Sequence, residues 1–71
     1  MIVVVKVVKS IEMKVDDKFD KLADEEFWIN NLREADNLAS ELVETIHDND
    51  LSIEYIEGVE NNLGEVLMGE E

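Results

Sequence analysis

The stretch Ile2-Val3-Val4-Val5-Lys6-Val7-Val8 is apolar on both of its alternating faces, with Lys6 as the single interruption. Val and Ile lose rotamer freedom in helices and pack well on a pleated surface. A strand that is apolar on both sides has to be covered on both sides, and left open it is an edge on which other chains can add. In a chain of 71 residues without cysteine this demand is severe. A domain so small buries only a modest part of its surface, and no disulfide is at hand to supplement the core. Self-association is the natural supplement. A homodimer formed through the N-terminal strand, with Val3, Val5 and Val7 in the interface, is therefore expected.

The first 15 residues divide into that run and a second half in which Ile11, Met13 and Val15 alternate with Glu12 and Lys14, the period of a half-buried strand. They form either one long strand or a hairpin bent near Lys9-Ser10. The rival is a helical stripe through Val4, Val8, Ile11, Val15 and Leu22. The β-branched content favours the strand. Asp16 and Asp17 are N-cap residues for a short helix over 17–26, with Phe19, Leu22 and Ala23 facing inward. The clearest periodicity follows: Trp28, Leu32, Ala35, Ala39, Leu42 and Ile46 recur at spacings of 4, 3, 4, 3 and 4. That is a heptad-type seam and predicts a main helix over 27–48. Trp28 and Leu32 are the alternative dimer contact. Ile53, Ile56, Leu63 and Leu67 stand near helical spacing and predict a C-terminal helix over 51–68, although Gly58 and Gly64 weaken it. Gly69-Glu70-Glu71 is expected to fray. The fold class read from these signals is α+β: one domain over 1–71, an N-terminal strand or hairpin followed by two or three amphipathic helices.

Charge is distributed as unevenly as hydrophobicity. Residues 1–15 hold Lys6, Lys9 and Lys14 against Glu12, a net of +2; residues 16–71 hold 18 acids against Lys18, Lys21 and Arg33, a net of −15. From Glu34 onward there is no Lys or Arg at all. Such an excess destabilises a compact chain through self-repulsion and exceeds what solubility requires. It argues against direct binding to nucleic acid or to an anionic membrane, both of which need cations to meet phosphate. No run is long enough to span a bilayer and no cleavable leader is evident, so a cytoplasmic protein is expected.

The remaining chemistry is sparse. His47, the single histidine, sits where a helix C-terminus favours a cation. Asp48, Asp50, Ser52 and Glu54 imitate the opening of a calcium loop, but Ile53 and Val59 occupy the places of its required Gly and Glu, so capping is the better account. Arg33 is read as an ion-pair partner of Glu34 or Asp36. No nucleophile, base and orienting group assemble, which predicts a non-enzyme without metal or cofactor. On the helix, Glu34, Glu41, Glu44 and Asp48 fall on the side away from the apolar seam, and Glu54 and Glu57 extend the acidic character beyond it.

The segment Ile11-Glu12-Met13-Lys14-Val15-Asp16-Asp17, followed by Phe19, Leu22 and Ala23, resembles the ribbon-helix-helix regulators over about residues 10–48. The resemblance implies a strand, a short helix and a longer helix, with strands paired across a dimer. Glu12 and Lys14 would then form the face that such regulators present to DNA.

Two functional expectations follow. The first is an acidic interaction protein whose carboxylates imitate a phosphate backbone and occupy the nucleic-acid-binding surface of a basic host protein, such as a nuclease. That reading follows by analogy the compact acidic inhibitors of phages and mobile elements, and would place the chain in a host cytoplasm. The second is a dimeric regulatory or antitoxin-like protein that neutralises its partner without imitating DNA.

Overall fold

The computed structural model describes residues 1–69; the expected fraying of Glu70 and Glu71 lies outside them. The N-terminal run becomes the first arm of an antiparallel hairpin, β1 (Ile2–Lys6) and β2 (Ser10–Lys14), with Val3 opposite Met13 and Val5 opposite Ile11. Residues 2–15 are thus a hairpin rather than one strand or a helix. Its bend passes through Val7, Val8 and Lys9, closed by a Val7 N–H to Lys9 carbonyl bond of 3.3 Å, without glycine or any positive φ.

A 3₁₀ helix (Asp17–Ala23) follows, capped by the Asp16 carboxylate on the Lys18 N–H at 2.9 Å. The helix expected over 17–26 ends at Ala23, because Asp24 turns extended and caps the next helix through the Glu26 N–H at 2.9 Å. The main helix expected over 27–48 is also divided, into α1 (Glu25–Asn30) and α2 (Leu32–Asn49). The break falls at Asn31, at φ −140° and ψ 50°. Its N–H closes α1 on the Phe27 carbonyl, and its carbonyl opens α2 on the Ala35 N–H. The Asn31 side chain itself makes no capping hydrogen bond. Beyond the break the seam holds: Ala35, Leu42 and Ile46 are wholly buried, but Leu32 is 60 % exposed.

The expected C-terminal helix over 51–68 is replaced by an extended segment and a second hairpin, β3 (Gly58–Asn61) and β4 (Val66–Met68). The apolar residues at 53, 56, 63 and 67 imitate a helical stripe, but the segment Asn61-Asn62-Leu63-Gly64 carries turn chemistry. Gly64 adopts φ +83°, a conformation that glycine tolerates and other residues rarely do. β3 pairs antiparallel with β1, which gives a four-stranded sheet in the order β2-β1-β3-β4. β1 is therefore a central strand with both edges paired inside the chain. The edge that the sequence reading assigned to a second copy is taken by β3.

The inner face of the sheet brings Val3, Val5, Val59 and Leu67 against Phe19, Leu22, Leu42 and Ile46, all at 2 % exposure or less. Each such side chain contributes about 1.5–3 kcal/mol when fully buried. Val3 and Val5 thus have no surface left for a dimer contact, a correction to their expected role. Val7 is half-buried at the hairpin bend.

Asn61, at 3 % exposure, is the one buried polar side chain among the described residues. Its amide nitrogen donates to Asp20 Oδ1 at 3.1 Å and Glu65 Oε1 at 3.0 Å, and its oxygen accepts from the N–H groups of Leu63 and Glu65, both at 3.0 Å. Two donors and two acceptors are all used. Asn61→Asp replaces the donor by an oxygen facing two carboxylates. Burial and like charge raise the pKa of the new carboxyl in the folded chain above its unfolded value. The variant should therefore lose about 3 kcal/mol at neutral pH, and the gap to wild type should close as pH falls toward about 4. Urea denaturation at several pH values checks this; a gap that does not change with pH would contradict it.

Candidate functional site

α2 presents the acidic row on one rigid element. Glu34, Glu41, Glu44 and Asp48 are all exposed. At 1.5 Å per residue the row runs about 21 Å along the helix. Helical geometry sets all four to one side of the axis, turned between about 80° and 160° from Leu42, which is at the centre of the buried face.

The row is not uniform. Lys18 Nζ reaches Glu41 Oε1 at 2.6 Å and lies 5.3 Å from the Phe19 ring centroid. The hydrogen bond to Glu41 raises the Lys18 pKa above its ordinary value, with Coulombic help from Glu41 and Asp16. Lys18 and Lys21, with Glu34, Asn37, Leu38 and Glu41, line a shallow trough between the 3₁₀ helix and α2. Within the row, Glu41 is thus partly neutralised by a lysine brought from another element. No ion pair of Glu44 or Asp48 is found among the described residues.

Glu54 and Glu57 are exposed, but they lie in the extended segment after α2 and do not prolong its row. That segment leaves the helix through Asp50, whose carboxylate accepts from the Ser52 hydroxyl at 2.6 Å and its N–H at 3.0 Å. These bonds hold the Asp50 carboxyl below its ordinary pKa, the hydroxyl contributing most. Asp50 therefore serves a turn, and it ends one helix without starting another. His47 lies in the last turn of α2. Arg33 forms no ion pair with Glu34 or Asp36 among the described residues. Asp17, held by the Met1 ammonium at 2.8 Å, has its pKa lowered by that bond.

The indole of Trp28 donates to the Leu22 carbonyl at 2.8 Å and ties α1 to the end of the 3₁₀ helix. Trp28 is half-buried and lines an apolar groove with Leu22, Ala39 and Met68. The break at Asn31 separates it from Leu32, so the two do not continue one seam.

A second acidic group was not legible in the sequence. Asp20, Asp24, Glu25 and Glu65 surround one depression, assembled when the β3–β4 hairpin carries Glu65 to the 3₁₀ helix. Asn61 links the two elements by bonding to both Asp20 and Glu65, and no local pattern announces that. Among the described residues, no cluster of acids or histidine has the arrangement of a metal site, and no helix is long and apolar enough to cross a membrane.

No protein family, curated protein or solved structure matches this chain.

Proposed function

We propose that this chain is a non-enzymatic acidic interaction module that occupies the basic, nucleic-acid-binding surface of a host protein as a DNA mimic. The observation that carries this reading is the row Glu34, Glu41, Glu44 and Asp48, exposed on the single rod of α2 in a chain without Lys or Arg after Arg33. An ordinary solvated helix mixes signs on its outer face. Carboxylates fixed on a helix meet a cationic groove without first being ordered, and complementary charge speeds encounter and selects the partner. A nuclease or another nucleic-acid enzyme is the partner class with such a groove, and phages and mobile elements are the setting in which blocking one is useful.

A second reading rests on a different observation. Ile29 and Leu32 are 73 % and 60 % exposed beside the Asn31 break, an apolar pair through which a regulatory or antitoxin-like protein would neutralise its partner without imitating DNA.

Capture from a host lysate at moderate salt, with and without excess duplex DNA, separates the two. One basic nucleic-acid enzyme that DNA displaces is the result expected of a mimic. A partner that DNA leaves in place, retained at high salt and lost on Leu32→Ala, is the result expected of the second reading. The absence of any partner would overturn both for that host.

A further inference from the structure

β2 is an open edge whose hydrogen-bonding groups can be assigned. Val15 N–H donates to the Met1 carbonyl at 2.7 Å, the Met1 ammonium donates to the Val15 carbonyl at 2.6 Å, and Val7 N–H donates to the Lys9 carbonyl at 3.3 Å. In an antiparallel ladder bonded and non-bonded pairs alternate. Met13 and Ile11, two and four residues from Val15, therefore also turn their N–H and C=O groups toward β1. Those of Ser10, Glu12 and Lys14 point the other way, where no strand pairs with β2 among the described residues. This edge is five residues long, regular in register and free of proline. The opposite edge, β4, has only three residues, and its register shifts by one against β3. Short and bulged edges resist further pairing; long regular ones invite it. The inner face of β2 is also incompletely covered: Ile11 and Met13 are only half-buried, although Val3 and Val5 beside them are fully buried.

We propose that the β2 edge is taken by β2 of a second copy, antiparallel, about a two-fold axis at Met13. Charge selects both occupant and register. With the axis at Met13, Glu12 lies opposite Lys14 of the partner subunit and Lys14 opposite Glu12 of the partner subunit. Both are residues whose backbone groups face the edge, so the two ion pairs coincide with the bonded pairs of the ladder. On the inner face Met13 meets Met13 of the partner subunit, and Ile11 meets Val15 of the partner subunit. A slip of one residue would turn the apolar side chains to the wrong face. Moving the axis to Glu12 sets Glu12 against its own copy, and moving it to Lys14 does the same for Lys14; like charges directly opposite destabilise a pair. The contact also lies in the segment that carries none of the acidic excess, so two strongly negative chains meet where repulsion is least. Assembly makes one continuous eight-stranded sheet. It is independent of the acidic-row proposal, and either can fail alone.

Sedimentation of the full chain from about 10 μM to about 1 mM tests this, since a ladder so short belongs among small, weak interfaces. Wild type should pass from monomer to dimer, with amide exchange at Glu12 and Lys14 slowing as it does. Glu12→Lys and Lys14→Glu should each raise the dissociation constant about tenfold or more, and the double swap should restore it. Both side chains are exposed, and circular dichroism verifies that each variant is folded. A monomer throughout, a dimer indifferent to both single changes, or a folded double swap that does not recover would overturn the proposal.

Discussion

Truncating Leu42 to alanine is expected to remove about 3 kcal/mol of stability, whereas the same change at Leu32 should alter it by no more than about 0.5 kcal/mol. The two leucines belong to one heptad-type seam in the sequence and are indistinguishable there. In the fold Leu42 is fully buried between α2 and the sheet, and Leu32 stands 60 % exposed past the Asn31 break. A buried leucine removed leaves a cavity that the surrounding β-branched side chains fill only partly. A domain of this size has roughly 4–10 kcal/mol in total, so Leu42→Ala brings the chain close to its unfolding threshold. Urea denaturation followed through Trp28, the single tryptophan, reads both variants. Equal losses at the two positions would mean that the seam continues unbroken through Asn31.

Reversing the free part of the acidic row should have the largest functional effect. Glu34→Lys/Glu44→Lys/Asp48→Lys changes three exposed positions on α2 and should weaken binding to a basic partner about 100-fold or more. A control with the same charge change placed off the row, Glu26→Lys/Asp36→Lys/Glu57→Lys, separates pattern from total charge and should lose far less. Lys18→Gln acts in the opposite sense. It frees Glu41 from its 2.6 Å ion pair and should tighten the same complex. Titration calorimetry against the captured partner measures all three; equal losses in the two triple variants would reduce the row to generic charge.

Legibility in the sequence followed the range of the determining interactions. The strand character of the N-terminal segment was readable because alternation at Ile11, Met13 and Val15 is local, although the choice between one strand and a hairpin was not; the helix through Ala35, Leu42 and Ile46 was readable because its apolar spacing is local too. The Asn31 break was less so: a seam drawn across it at Trp28 and Leu32 stays in phase even though the backbone does not. Residues 51–68 misled for a related reason. Their apolar spacing fits a helix, but Gly64 at positive φ and the Asn61 hydrogen bonds to Asp20 and Glu65 favour a hairpin, and the partners of Asn61 are 41 and 4 residues away. The expected dimer contact at Val3 and Val5 failed because β3, the strand that covers β1, was not recognised. Among the acids expected from the sequence to meet a partner, the four on α2 were legible as one helical face. Glu54 and Glu57 fall off that face, since their expected placement depended on the helix that does not form.

The central claim is that the α2 carboxylates compete with nucleic acid for one basic surface. The most direct measurement is displacement of a fluorescent duplex from the captured protein by this chain, followed by anisotropy across a range of salt concentrations. The account predicts complete displacement at one-to-one stoichiometry, an apparent affinity that falls steeply as salt rises, and loss of displacement in the row-reversed variant. A ternary complex in which duplex and chain are bound together, with an affinity that salt leaves unchanged, would contradict it.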